Sequence, residues 1–79
     1  MHAFVLIDVQ PGMENKVLSS LKRLDRVEEA YIVFGKSDLI IKVQAETREE
    51  LWSFISHEIR NVDGARGTLT LIPLYGFKR

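Results

Sequence analysis

Seventy-nine residues without a cysteine suffice for one compact domain, spanning 1–79, and exclude disulfide staples and thiolate metal cages. Lys plus Arg and Asp plus Glu both number 11, so the formal charge is zero. The basic excess by which DNA- and RNA-binding domains neutralise phosphates is missing. The apolar runs are far shorter than the ~20 residues of a membrane helix. Asp8 and Gln10 interrupt the first of them, against a signal peptide, so the cytoplasm is the expected location. A domain this small is marginal by itself, which makes self-association the remaining source of stability.

Ala3 to Gln10 is rich in Phe, Val, Leu and Ile and reads as a strand ending at the turn Pro11-Gly12. From Met13 the period changes: Met13, Val17, Leu21 and Leu24 share a helical face, with Leu18 beside them. Val27 to Phe34 forms a second strand, Gly35-Lys36-Ser37-Asp38 a hairpin turn with a glycine available for positive φ, and Leu39 to Ala45 a third strand. Thr47 with Glu50 three residues on is a capping box opening a second helix. Leu51, Trp52, Ile55, Ile59 and Val62 give that helix its buried stripe, and Asp63-Gly64 closes it. Thr68 to Leu74 is the fourth strand, and Tyr75 to Arg79 a short tail. The order β-α-β-β-α-β predicts an α+β, ferredoxin-like fold with both helices on one face of a four-stranded antiparallel sheet.

Strand alternation places Val5, Ile7, Val9, Ala30, Ile32, Phe34, Leu39, Ile41, Val43, Leu69 and Leu71 toward the helices. The opposite face then carries Phe4, Leu6, Tyr31, Val33, Ile40, Ile72 and Leu74 among Asp8, Lys42, Gln44, Thr68 and Thr70. That is too apolar for a solvated sheet face. A sheet-to-sheet dimer covers it, with Phe4, Leu6, Tyr31, Val33, Ile40 and Ile72 in the seam.

Pro11-Gly12, Val27, the Gly35–Leu39 turn and Gly64-Ala65-Arg66-Gly67-Thr68-Leu69-Thr70 together resemble the effector-binding (RAM) domain of Lrp/AsnC, or feast/famine, regulators. The likeness runs from residue 3 to 74. It implies sheet-on-sheet dimers, their further association into rings, and a free amino acid or similar small effector bound between dimers near the second hairpin. By position, Gly35 and Asp38 match the family's glycine-x-x-aspartate turn, and Thr68 and Thr70 its threonine pair. Asp38 can pair with an ammonium group, turn N–H groups near Gly35 can hold a carboxylate, and the threonine hydroxyls can do either. Lys36 and Ser37 add contacts from the same turn, although position 37 is more often aromatic in the family. Regulators of this family carry an N-terminal helix-turn-helix, and here the chain starts at the first strand. The expectation is a stand-alone effector domain that could co-assemble with a full-length regulator and does not bind DNA by itself.

Two other classes compete. An enzyme of this fold needs an acid or base in a pocket, and His57-Glu58 matches the start of the zinc motif H-E-x-x-H but has Asn61 where the second histidine belongs. His57 therefore reads as a surface residue, and neither a cofactor nor a catalytic group is expected. Asp8 with Lys42, and Glu29 with Tyr31, read as polar pairs on one sheet face. A structural assembly module with a vestigial pocket is the other alternative. An amino-acid-binding ACT domain shares the topology but sets its sheets side by side, against the apolar second face. Trp52 reads as a core residue rather than a stacking platform.

Overall fold

A computed structural model describes residues 1–79. Four strands and two helical elements follow in the expected order: β1 (His2–Val9), α1 (Glu14–Lys22), β2 (Val27–Ile32), β3 (Leu39–Gln44), α2 (Arg48–Ser53) and β4 (Ala65–Leu71). All strand pairs are antiparallel, in the order β2-β3-β1-β4. The central strands β1 and β3 carry the core. Ala3, Val5, Ile7, Val9, Leu39, Ile41, Val43 and Ala45 are at most 5% exposed and meet Val17 and Leu21 of α1 and Leu51 of α2.

The second helix begins as the sequence dictates. The Thr47 hydroxyl accepts from the Glu50 N–H at 3.1 Å, while the Glu50 carboxylate turns to Arg26 at 2.9 Å instead of closing the box. After Ser53 the helix widens into a π-helical segment, Phe54–Ile59, in which the Arg60 N–H reaches the Ile55 carbonyl. Phe54, three residues on from Leu51, is buried in the core, and Trp52 stands 68% exposed on the flank. The core role read for Trp52 is thus filled by Phe54.

Gly64 connects the π-helical segment to β4. Its φ is +98°, and a Cβ there would lie 2.9 Å from Val17 Cγ2, so both backbone conformation and close packing on α1 require glycine. Gly12, at φ +88°, makes the turn after β1. Gly35 does not adopt positive φ: the 35–38 segment is an open bend rather than a tight hairpin turn.

The edge strands depart most from expectation. In β4, Thr70 pairs with Val5 and Thr68 with Ile7, which puts both threonines on the helix side and turns Leu69 and Leu71 outward. Ile72 follows Thr70 onto the helix side and packs against the core, not onto the open face. The reason is position. An edge strand's helix side is only half covered, so its threonines tolerate it, and the outward leucines extend the apolar rows of the neighbouring strand. On β2, Ile32 is 47% exposed, and Phe34 lies beyond the strand, wholly exposed in the bend.

Candidate functional site

Asp38 ties the second hairpin to the end of β1. Its N–H donates to the Ile7 carbonyl at 3.1 Å, its carbonyl accepts from the Val33 N–H at 3.0 Å, and its Oδ2 accepts from the Val9 N–H at 2.8 Å. Val9 needs that acceptor because the β1–β4 register shifts between Asp8 and Val9 and the regular β1–β3 ladder ends at Ile7. A half-buried carboxylate supplying a strand with a missing acceptor is a structural role, and it occupies only one carboxylate oxygen. Gly35 and Lys36 are exposed beside it, Ser37 is half-buried, and Phe34 adds a bare aromatic ring to the same loop.

The residues singled out for ligand contact are therefore only partly brought together. Asp38 sits next to Ile7 from the β3 side, and Thr68 faces Ile7 from the β4 side, so the two flank one strand at the same end of the sheet. Thr68 lines a polar cleft with Arg60, Ala65, Arg66 and Gly67. Thr70 lies farther along, in an apolar groove between β4 and α2 with Arg48, Leu51, Trp52, Ile55 and Ile72. Arg60, Arg66 and Phe34 were not singled out from the sequence. The Gly64-Ala65-Arg66-Gly67 run was the one signal near the arginines, and its strand irregularity does not show in composition.

The open sheet face is organised in rows. Tyr31 opposes Ile40, Ile40 opposes Leu6, and Leu6 opposes Leu69, so one row of large apolar side chains crosses all four strands. A second row runs Glu29, Lys42, Phe4 and Leu71. Tyr31, Leu69 and Leu71 are 49–58% exposed, and Val33 lies near them at 37%. The polar end of this face is a small network in which the Tyr31 hydroxyl donates to Glu29 Oε1 at 2.7 Å and Lys42 lies 3.8 Å from Glu29 Oε2. The hydrogen bond to Glu29, and then the negative charge of Glu29, hold the Tyr31 phenol above its ordinary pKa. His57 is exposed, its Nδ1 2.9 Å from the Ser53 carbonyl. No helix is long and apolar enough to cross a membrane.

Comparison with known proteins bears on this arrangement. Residues 2–79 match the Lrp/AsnC ligand binding domain family. The HTH-type transcriptional regulator FL11 of Pyrococcus abyssi is 36% identical over 74 residues, covering 94% of this chain and 48% of FL11. The chain thus spans about half the length of the curated relatives it matches. Among solved structures, FFRP-DM1 is 37% identical with a TM-score of 0.88, over 92% of this chain and 97% of that one. E. coli AsnC is 29% identical with a TM-score of 0.92, over 99% of this chain and 54% of AsnC. A transcriptional regulator of Neisseria meningitidis solved as an L-Met complex has a TM-score of 0.89 at 12% identity, over 99% of this chain and 52% of that one, a likeness of fold alone. FL11 and a further curated relative from Pyrococcus horikoshii are HTH-type transcriptional regulators. With its strand order, its helices on one sheet face and a family match over nearly its whole length, the chain belongs to the Lrp/AsnC ligand-binding domain family.

Proposed function

We propose that this chain is an amino-acid-sensing assembly module: it dimerises sheet on sheet, the dimers associate further, and a free amino acid binds between dimers at the 35–38 bend. The supporting observation is the uncovered apolar row Tyr31–Ile40–Leu6–Leu69. An apolar face of this extent on so small a domain is stable in water only when covered, and a second copy of the same face covers it with the same residues on both sides. The seam comprises Phe4, Leu6, Tyr31, Val33 and Ile40, with Leu69 and Leu71 in place of Ile72.

Effector binding uses the bend. The free Asp38 oxygen receives the ammonium group, Gly35, Lys36 and Ser37 border the ligand, and Thr68 lies across β1 from Asp38. Thr70, in the separate groove against Trp52, does not join this site within one protomer. Binding at an interface shifts assembly only by the difference in affinity between assembled and free states. Amino acids are the first class to test because a protein of the same fold holds L-Met. The module acts in the cytoplasm, and a full-length Lrp/AsnC regulator is a partner it could join.

One observation favours a second reading, an assembly module without an effector: Asp38 already has structural work at Val9. A thermal-shift screen against the twenty amino acids separates the two. A ligand at ~100 times its Kd adds ~2.7 kcal/mol, which in a domain of this size raises Tm by roughly ten degrees or more. A selective rise supports the sensor. A flat response across all twenty leaves the assembly module.

A further inference from the structure

The start of β4 gathers two arginines that make no ion pair. Arg60 caps the π-helical segment, and Arg66 is the extra residue of the irregularity that sets Gly67 opposite Asp8 and Ala65 opposite Val9. An extra residue of this kind turns its side chain out of the regular alternation. Together with Ala65, Gly67 and Thr68 the arginines line a cleft of about 440 Å³ that no carboxylate lines. The ion pairs of the chain engage His2, Lys16, Arg26 and Lys42 and neither of these arginines. The acid opposite Gly67, Asp8, is exposed on the open sheet face; its Oδ2 lies 3.4 Å from where a Gly67 Cβ would stand, at the margin of the cleft, and pairs with neither arginine.

A helix C-terminus accounts for a cation at Arg60, through the negative end of the helix dipole. It does not account for Arg66, which enters the same cleft from the irregular start of β4. Planar guanidinium groups match the paired oxygens of carboxylate and phosphate, and a threonine hydroxyl supplies a further donor. We infer that Arg60, Arg66 and Thr68 form an oxyanion subsite for the carboxylate or phosphate group of a small molecule. It deepens the sensing reading in one respect: if the bound molecule is an amino acid, this cleft holds its negative end or an acidic side chain.

The test is side-chain Nε–Hε NMR of the full chain titrated separately with L-glutamate, L-leucine and sodium phosphate, with sodium chloride holding ionic strength constant. Saturable movement of the Arg60 and Arg66 signals is expected with a carboxylate or a phosphate. Arg66→Gln should weaken that binding by about tenfold, the worth of a hydrogen bond to a charged group. Arg48→Gln, in the other groove, should leave it unchanged. Saturation by phosphate with no response to the amino acids keeps the subsite, assigns it phosphate, and leaves amino-acid sensing to the bend and the thermal-shift screen. Amino acids that raise Tm equally in wild type and Arg60→Gln/Arg66→Gln, with no saturable arginine shift under phosphate, overturn the subsite and leave the sensing reading standing. Linear shifts indistinguishable from those with chloride also overturn it.

Discussion

The sheet has two apolar faces, and they differ in what covers them. On the helix side, Val5, Ile7, Leu39 and Val43 are wholly buried by the chain's own helices. On the other side, Leu6, Ile40, Leu69 and Tyr31 form an apolar row that no helix covers, with Leu69 and Tyr31 more than half exposed and Leu6 and Ile40 half-buried. Alternation along these strands therefore does not divide apolar from polar. It divides residues that hold the protomer together from residues left at its surface.

The largest expected contrast comes from neighbours on β1 and β4. Ile7→Ala removes a fully buried side chain and should cost about 2–5 kcal/mol in denaturant unfolding, at every protein concentration. Leu69→Ala, on the open face, should leave the unfolding of dilute protein within about 1 kcal/mol of wild type and act on association instead. Equal, concentration-independent losses in the two variants would erase the distinction between the faces.

A smaller effect separates scaffold from ligand contact at Asp38. Asp38→Ala leaves the Val9 N–H without its acceptor and should cost about 1–3 kcal/mol. Asp38→Asn keeps an oxygen for Val9 but loses the charge, so it should preserve most of the stability while abolishing any amino-acid response. If Asp38→Asn responds normally in the thermal-shift screen, the ammonium contact lies elsewhere.

The smallest effect concerns the polar margin of the open face. Because Glu29 raises the Tyr31 pKa, the protonated phenol is favoured in the folded state. The stabilisation is fully present below the unfolded value of about 10 and is lost as pH rises through the folded one, since the unfolded chain releases its proton first. Glu29→Gln should bring Tyr31 ionisation, followed by its ring NMR signals, back toward the ordinary value. An unchanged titration would remove Glu29 as the cause.

Much of this was legible from residues alone, and unevenly. β1 and β3 read correctly because Asp8, Lys42 and Gln44 mark one phase of each strand as the open face and leave the other wholly apolar. The N-cap Thr47 and the glycine at 64 read correctly because each meets a local backbone demand. β4 did not, because Thr68, Thr70 and Ile72 on one side and Leu69 and Leu71 on the other both make acceptable strands, and edge position decides between them. The widening of the second helix after Ser53 and the register shift opposite Asp8 and Val9 have no compositional mark, so the pairing of Arg60 with Arg66 stayed hidden. Asp38 was singled out for its charge, while its bond to Val9 depends on a contact across 29 positions of sequence.

Sheet-on-sheet association is tested most directly by the molar mass of wild type and Ile40→Lys in sedimentation equilibrium. Wild type should sediment at twice the 9.1 kDa chain mass or a higher even multiple. Ile40→Lys places a charge in the middle of the seam and should sediment as a folded monomer. A monomeric wild type, or an Ile40→Lys variant with wild-type mass, would contradict the assembly.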